Sequence, residues 1–339
     1  MKTSAVLSLK DKTHRWLITG AAGFIGSNLL EELLSCDQKV VGIDNFETGF
    51  RENLEDVELS VSGKQWKNFS FREGDIRDID TCLQVCEGVD YVLHQAALGS
   101  VPRSIERPIQ TNDVNVNGFL NILEASRQKN VRKIVFASSS SVYGDHEKLP
   151  KEEGSEGRLL SPYAVSKHVN EAYADVFSKT FGMAIIGLRY FNVFGPRQDP
   201  SGPYAAVIPK WVHLISGRDA VKIFGDGSSS RDFCYIDNVI SANILAATNN
   251  DPEALNKVYN IAIGERTTLN ELYHFISTVF FEETGLEARE PQYLEFRRGD
   301  VLHSHADITR AKKLLGYCPT VKASEGLKKY IRWTLSGKS

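Results

Sequence analysis

Methionine is scarce, with two in 339 residues, and neither sign of charge dominates: 40 Lys and Arg face 43 Asp and Glu, for a net charge of −3. That balance argues against a nucleic-acid partner, whose electrostatic footprint is a basic excess. No apolar run approaches the roughly 18–20 residues that a bilayer span requires. The apolar stretch within residues 1–10 is too short and too interrupted for a signal peptide. The five cysteines, Cys36, Cys82, Cys86, Cys234 and Cys318, are odd in number and scattered, which does not make a disulfide framework. Cys82 and Cys86 sit one helical turn apart without flanking ligands, so buried thiols are expected there. His303 and His305 form an H-x-H pair with no third ligand implied, and no metal is expected. Together these absences predict a cytoplasmic protein without membrane, nucleic-acid or metal partners.

Hydrophobic residues at 42% and charged residues at 24% describe an ordinary globular chain with apolar sequence enough for a large core. Short β-branched runs alternate with helical patterns through the first half. Strands are expected at Arg15–Thr19, Lys39–Asp44, Asn68–Glu73, Tyr91–His94, Lys133–Ala137 and Met183–Arg189. Helices are expected at Gly23–Cys36, Asp78–Glu87, Asn112–Lys129 and, with Ser161 as N-cap and Pro162 at N1, on to Phe181. Alternation of this kind specifies parallel βαβ units, hence an α/β fold with a doubly wound, Rossmann-type sheet. The strands lack polar alternation, as expected when helices cover both faces. After Asn192 prolines and glycines crowd the chain and the elements shorten. We therefore expect a dinucleotide-binding unit over 1–190 and a smaller α/β ligand-binding lobe over 191–339, with some segments returning to the first unit.

Gly20, Gly23 and Gly26 follow the first strand and open the first helix, with Phe24 and Ile25 in its first turn. Small residues there let the backbone approach a pyrophosphate, and the helix N-terminus supplies N–H groups and positive potential. The spacing is G-x-x-G-x-x-G, and a glycine triplet alone is a weak signal. Asp44, which ends the second strand, strengthens it: a carboxylate there accepts ribose hydroxyls and repels a 2′-phosphate, favouring NAD over NADP. Asp75, before Ile76, either meets the adenine amino group or caps a helix. Gln95, Ala96 and Ala97 end the fourth strand with small residues, consistent with a cofactor crossing the sheet edge. Tyr163 and Lys167 lie at i and i+4 on one helix face. A phenol titrates near 10 unperturbed, and a neighbouring ammonium together with the nicotinamide charge would lower that value. Such a phenol exchanges a proton with an alcohol while hydride moves to the nicotinamide. Ser139, Ser140 and Ser141 end the fifth strand, where doubly wound sheets bind ligands.

At these residues the sequence resembles the extended short-chain dehydrogenase/reductases over nearly its whole length, and within them the nucleotide-sugar 4-epimerases. The resembling pieces are Thr19–Gly26, Asp44 with Asn45, Gly74–Ile76, Asn115–Gly118, Ser138–Gly144, Tyr163–Lys167, Arg189–Asn192 and Arg297–Asp300. The resemblance implies tightly held NAD, Tyr163 taking the proton of the sugar O4, Ser139 holding O4, and Lys167 holding the nicotinamide ribose and tuning Tyr163. It implies cofactor contacts from Asn45, Asn115 and Tyr190. The 4,6-dehydratases and decarboxylases of the family carry acids beside the serine position, where this chain has Ser140 and Ser141, which disfavours elimination chemistry. Asn192, Arg231 and Arg297 are the diphosphate contacts implied, Phe224 belongs to a uridine-binding turn, Asp300 meets a ribose hydroxyl, and Ala206, Val207 and Lys210 lie in a stretch packing over the nucleotide. Ser304 occupies the position that tunes sugar size, and a small side chain there leaves room for a 2-acetamido group. Gly99, Ser100 and Arg103 look like those of the UDP-N-acetylglucosamine 4-epimerases of bacterial surface-polysaccharide biosynthesis, some of which prefer the C6 acids; Arg103 either favours that carboxylate or is structural. The family pairs through two helices into a four-helix bundle, here Asn112–Lys129 and Pro162–Phe181. The expectation is an NAD-dependent, homodimeric UDP-N-acetylglucosamine 4-epimerase. A UDP-glucose 4-epimerase, an oxidoreductase releasing a keto product, and a non-catalytic NAD sensor are its rivals.

Overall fold

The computed structural model describes residue 9 and residues 12–201, 204–296 and 302–337. Seven parallel strands form one sheet: β1 (Arg15–Thr19), β2 (Lys39–Asp44), β3 (Phe69–Glu73), β4 (Tyr91–His94), β5 (Lys133–Ser139), β6 (Ile185–Tyr190) and β7 (Val258–Ile261), in the order β7-β6-β5-β4-β1-β2-β3. The chain leaves β1 towards β2 and β3 and then returns to the other side at β4. That reversal opens a crevice at the carboxyl ends of β1 and β4, where such sheets take their ligands. The Rossmann-type α/β architecture expected from the alternation is the one observed.

Both faces of the sheet are covered. From Trp16 to Thr19 every residue of β1 is inaccessible, which is why the strand reads as an unbroken apolar run. Helix α1 (Phe24–Ser35) follows β1, with Gly23 as its N-cap and no side-chain cap bond, so its first-turn N–H groups are left to an external acceptor. The tight turn into α1 depends on two glycines. Gly20 has φ +72°, and a Cβ at Gly26 would stand 2.0 Å from the Gly20 carbonyl oxygen.

Further along lie α2 (Val101–Glu106), α3 (Gly118–Gln128), α4 (Pro162–Phe181) and α5 (Ile236–Thr248). The helix expected from Asn112 instead passes through a π-turn, Asp113–Asn117, before continuing as α3. Strand β5 continues to Ser139, two residues beyond its expected end, because Ser138 and Ser139 pair in register with Arg189 and Tyr190 of β6. Helix α4 has the expected bounds. Ser161 accepts the Ala164 N–H at 3.1 Å as N-cap, and Gly182 closes the helix in the left-handed region.

Strand β7 joins the sheet beside β6 although it lies far along the chain. One hydrophobic cluster runs from Leu29 and Leu33 of α1 through Phe191, Ile236 and Tyr259 to Leu327 and Tyr330. Cys82 and Cys86 are buried in the second cluster, where burial pushes the thiols up to about 12 and about 11. No helix among the described residues is long and apolar enough to cross a membrane.

Candidate active site

A cavity of about 830 Å³ lies over the crevice, lined at one end by Gly20, Gly23, Phe24, Ile25 and Gly26. Asp44 and Asn45, at the end of β2, and Asp75 and Ile76, after β3, line it as well. The Asp44 carboxylate accepts the Ala22 N–H at 3.0 Å and the Phe46 N–H at 2.8 Å; burial raises its pKa, against those N–H bonds. Asp75 is not the N-cap of the helix after β3, a part played by Asp78. Asp75 instead accepts from Asn45 at 2.8 Å and from Arg77 at 2.6 Å, and the guanidinium holds its carboxyl below the usual range. The cradle fits a dinucleotide: uncapped helix amides beside a glycine turn, then acids at the ends of two strands.

Gln95, Ala96 and Ala97 form the floor. Tyr190 does not reach the lining. It is buried beneath Gln95, its hydroxyl donating to Gln95 Oε1 at 3.2 Å and accepting from Asn243 Nδ2 at 2.8 Å, so that it fixes the Gln95 amide. Asn115 is likewise beneath the lining. It accepts the Leu98 N–H at 2.7 Å and donates to the Leu98 carbonyl at 3.1 Å and to Ser166 at 3.0 Å, bracing the loop after β4 against α4. The resemblance implies both as cofactor contacts; in the structure their polar side chains bond to the protein.

At the other end Tyr163 lines the cavity. Burial raises its phenol, and a hydrogen bond with the Ser139 side chain acts in the opposite direction. Lys167, one turn on, is buried; its Nζ donates to the Ala137 carbonyl at 2.8 Å and stands 5.9 Å from the Tyr163 ring centre. Burial drives Lys167 down to about 8. Neither Lys167 nor Ser139 is part of the lining. Ser140 and Ser141 continue from β5 into a short 3-10 turn, where Ser141 donates its N–H to Ser139 Oγ at 3.1 Å. The Ser141 hydroxyl is buried without a hydrogen-bond partner among the described residues.

Gly99, Ser100, Arg103, Asn192 and Ala206 also line the cavity. Ser100 caps α2 from a left-handed backbone, φ +88°, strain of the kind that concentrates at functional sites. The Arg103 guanidinium lies 5.0 Å from the Tyr204 ring centre, and the Tyr204 hydroxyl donates to Glu106, so α2 and the loop before Val207 meet at the mouth. Asn192 donates to the Asp232 carbonyl at 3.2 Å. Val207 opens the helix Val207–Ser216, and Lys210 lies exposed one turn along it.

Phe224, Arg231 and Ser304 fall outside the lining. Arg231 donates to the carbonyls of Ser230 at 3.0 Å and Leu302 at 3.1 Å, and the Ser304 N–H donates to Ser230 at 3.0 Å. Arg297 and Asp300 lie outside the described residues. His303 bonds Ser230 and His305 bonds the Gly264 carbonyl, and no group of three or more metal-ligating side chains occurs among the described residues.

Sequence reasoning misses Asp232, whose carboxylate accepts the N–H groups of Ile263, Gly264 and Ala306 and so ties its own segment to two others. Burial pushes it up to about 6. Its place next to Arg231 is the only hint the sequence offers.

Residues 16–262 match the family model described as the NAD dependent epimerase/dehydratase family. A protein of Methanocaldococcus jannaschii described as a putative UDP-glucose 4-epimerase is 37% identical over 319 residues, 94% of this chain and 97% of its own length. The solved UDP-N-acetylglucosamine 4-epimerase of Methanobrevibacter ruminantium, in complex with UDP-N-acetylmuramic acid, is 37% identical. Its TM-score is 0.87, and the match covers 96% of this chain and 99% of the other. The UDP-glucuronic acid 4-epimerase of Bacillus cereus, solved with UDP-glucuronic acid and NAD, is 32% identical. Its TM-score is 0.81, over 95% of this chain and 99% of the other.

Proposed function

The chain belongs to the NAD dependent epimerase/dehydratase family, and on that premise we propose that it inverts C4 of a UDP-N-acetylhexosamine, interconverting UDP-GlcNAc and UDP-GalNAc through a transient 4-keto sugar. The observation that carries the reading is Tyr163 in the cavity wall, bonded to Ser139 and backed by the buried Lys167. NAD, the cofactor of the family, supplies reversible hydride acceptance. The residues that would hold it are the glycine turn Gly20–Gly26, Asp44, Asn45, Asp75 and Ile76, with Gln95–Ala97 beneath.

Tyr163 takes the proton of the sugar 4-hydroxyl and later returns one to the ketone oxygen. Ser139 orients that oxygen, and Lys167 favours the phenolate. Ser140 and Ser141 offer hydroxyls and no carboxylate at the places where elimination would need an acid and a base, so inversion without loss of water fits better. Asn192, in the cavity wall, is the diphosphate contact we assign, with Arg297 among the residues not described; Arg231 and Ser304 stand outside the lining and do not carry the reading. The relative solved with UDP-N-acetylmuramic acid supports an N-acetylated sugar. A C6 acid is the second reading, favoured by Arg103 in the cavity wall and by the relative solved with UDP-glucuronic acid. UDP-glucose is the third candidate substrate.

We further infer that the protein dimerises through α3 and α4. Val165, Val169, Ala172 and Val176 recur at i, i+4, i+7 and i+11, and three of the four are exposed, a seam of the type that packs into four-helix bundles.

The test is incubation with UDP-GlcNAc, UDP-GlcNAcA and UDP-Glc, following the C4 proton by NMR. We expect inversion of UDP-GlcNAc or its acid, and Tyr163→Phe to lower turnover by about 10²–10⁴-fold with NAD still bound. An active Tyr163→Phe enzyme would contradict the proton transfer. Accumulating free NADH and keto product would favour an oxidoreductase, and NAD binding without turnover of any sugar a sensor.

A further inference from the structure

Along α4 the residues Tyr163, Lys167 and Glu171 recur one turn apart and share a face. Each is tied to the end of β5: Tyr163 to the Ser139 hydroxyl, Lys167 to the Ala137 carbonyl, and Glu171 to the Ser138 hydroxyl, which donates to it. Next to Ser138 across the sheet stands Arg189 of β6. Its guanidinium makes a two-pronged contact with Glu171, Nε to Oε1 at 2.8 Å and Nη2 to Oε2 at 2.7 Å. A third nitrogen, Nη1, forms an ion pair with Glu156 at 2.5 Å. The side chains of Arg189 and Glu171 are 3% and 10% exposed.

We propose that Glu171 is a positioning residue for the reaction assigned above: anchored by Ser138 and Arg189, it keeps Lys167 charged and in line behind Tyr163. The inference rests on that functional reading for its catalytic consequence and on the geometry alone for its electrostatic one. An ammonium buried this deeply favours the neutral amine. A neutral Lys167 would still donate a hydrogen bond to Ala137 but would no longer stabilise a phenolate.

The groups around Lys167 leave this task to Glu171. His94 of β4 is buried, shares a hydrogen bond with the Thr19 hydroxyl at Nδ1 and is kept neutral by burial, with a pKa driven down to about 3. Arg189 of β6 is positive at all accessible pH, and the Tyr163 phenol of the same helix, pushed up by burial, supplies no lasting negative charge. Glu156 is spent on Arg189. Glu171 is the carboxylate whose charge opposes the effect of burial on Lys167.

The pair is also a selective arrangement. A lone carboxylate beside Lys167 could compete for its ammonium as a direct salt bridge. With both carboxylate oxygens occupied by Arg189, Glu171 acts on Lys167 through its field and leaves the ammonium on the Ala137 carbonyl.

The test is a ¹³Cε-lysine NMR titration of the NAD-loaded protein, with the Lys167 signal assigned from Lys167→Arg. In Glu171→Gln the Lys167 pKa is expected to fall by about one unit or more, while Glu171→Asp, which keeps the charge, stays near the parent value. If Glu171→Gln does not fold, Glu171→Met, which removes the charge at similar volume and leaves Arg189 paired with Glu156, carries the same expectation. In turnover, the alkaline limb of kcat moves to lower pH, a loss of about tenfold above it, with KM little changed. A Lys167 pKa unchanged in a folded Glu171→Gln or Glu171→Met overturns the proposal. Failure of the parent protein to invert any UDP-sugar would overturn the functional reading instead, and the NMR titration would still report on the electrostatic role.

Discussion

Lys167 is an ammonium held in a place that does not solvate it. Its pKa falls from 10.5 to about 8 because burial penalises the charge. Between those values the unfolded chain binds more protons than the folded one, so this group makes stability rise with pH there and costs stability at neutral pH. Lys167→Met should therefore add stability of the order of 1 kcal/mol at pH 7 and raise the melting temperature by about 1–2 °C, while turnover is lost. Calorimetry checks this, and a lower melting temperature would mean that the bond to Ala137 outweighs the desolvation. Stability gained as activity disappears is the mark of a strained functional group. The Tyr163 and Lys167 pairing was legible in the sequence because i and i+4 spacing is a local property of a helix. Glu171 was not: a glutamate two turns on looks like any exposed helix residue, and its meaning comes from Ser138 and Arg189, which the fold delivers from two strands. Asn115 and Tyr190 show the same limit, since both are motif residues whose polar groups are spent on holding the loop after β4 and Gln95.

Among the elements, those with strong local signals have the bounds the sequence predicts. Helix α4 is set by Ser161, Pro162 and Gly182, and its ends match. The π-turn before α3 was not legible, because Asp113–Asn117 has neither proline nor glycine to mark a break in the helix. Strand β5 ends later than its composition suggests because pairing with β6 decides a strand's end, and those two extra residues deliver Ser139 to Tyr163. On its outer face α4 carries the apolar seam of Val165, Val169, Ala172 and Val176, with Val176 53% exposed. If two copies meet there, a charge within the seam is costly to bury. Val176→Glu should yield a folded monomer by light scattering from a parent that is a dimer, and a parent of monomer mass would overturn the pairing.

At the scale of the molecule, the alternating first half dictates the parallel sheet and its reversal at β1 and β4, so the place of the crevice follows from the sequence. The seventh strand does not, since Val258–Ile261 is four residues long and follows a stretch whose rhythm has changed. Nor does the clasp at Asp232, which joins segments far apart in the chain. The whole arrangement has one chemical consequence: hydrogen taken from a sugar carbon inside the cavity stays within the complex until it is returned. The direct measurement uses UDP-GlcNAc carrying deuterium at C4, incubated with the protein in ordinary water and examined by NMR and mass spectrometry. The account predicts UDP-GalNAc with inverted configuration and deuterium still at C4; inverted product in which the label has been exchanged for solvent hydrogen would contradict it.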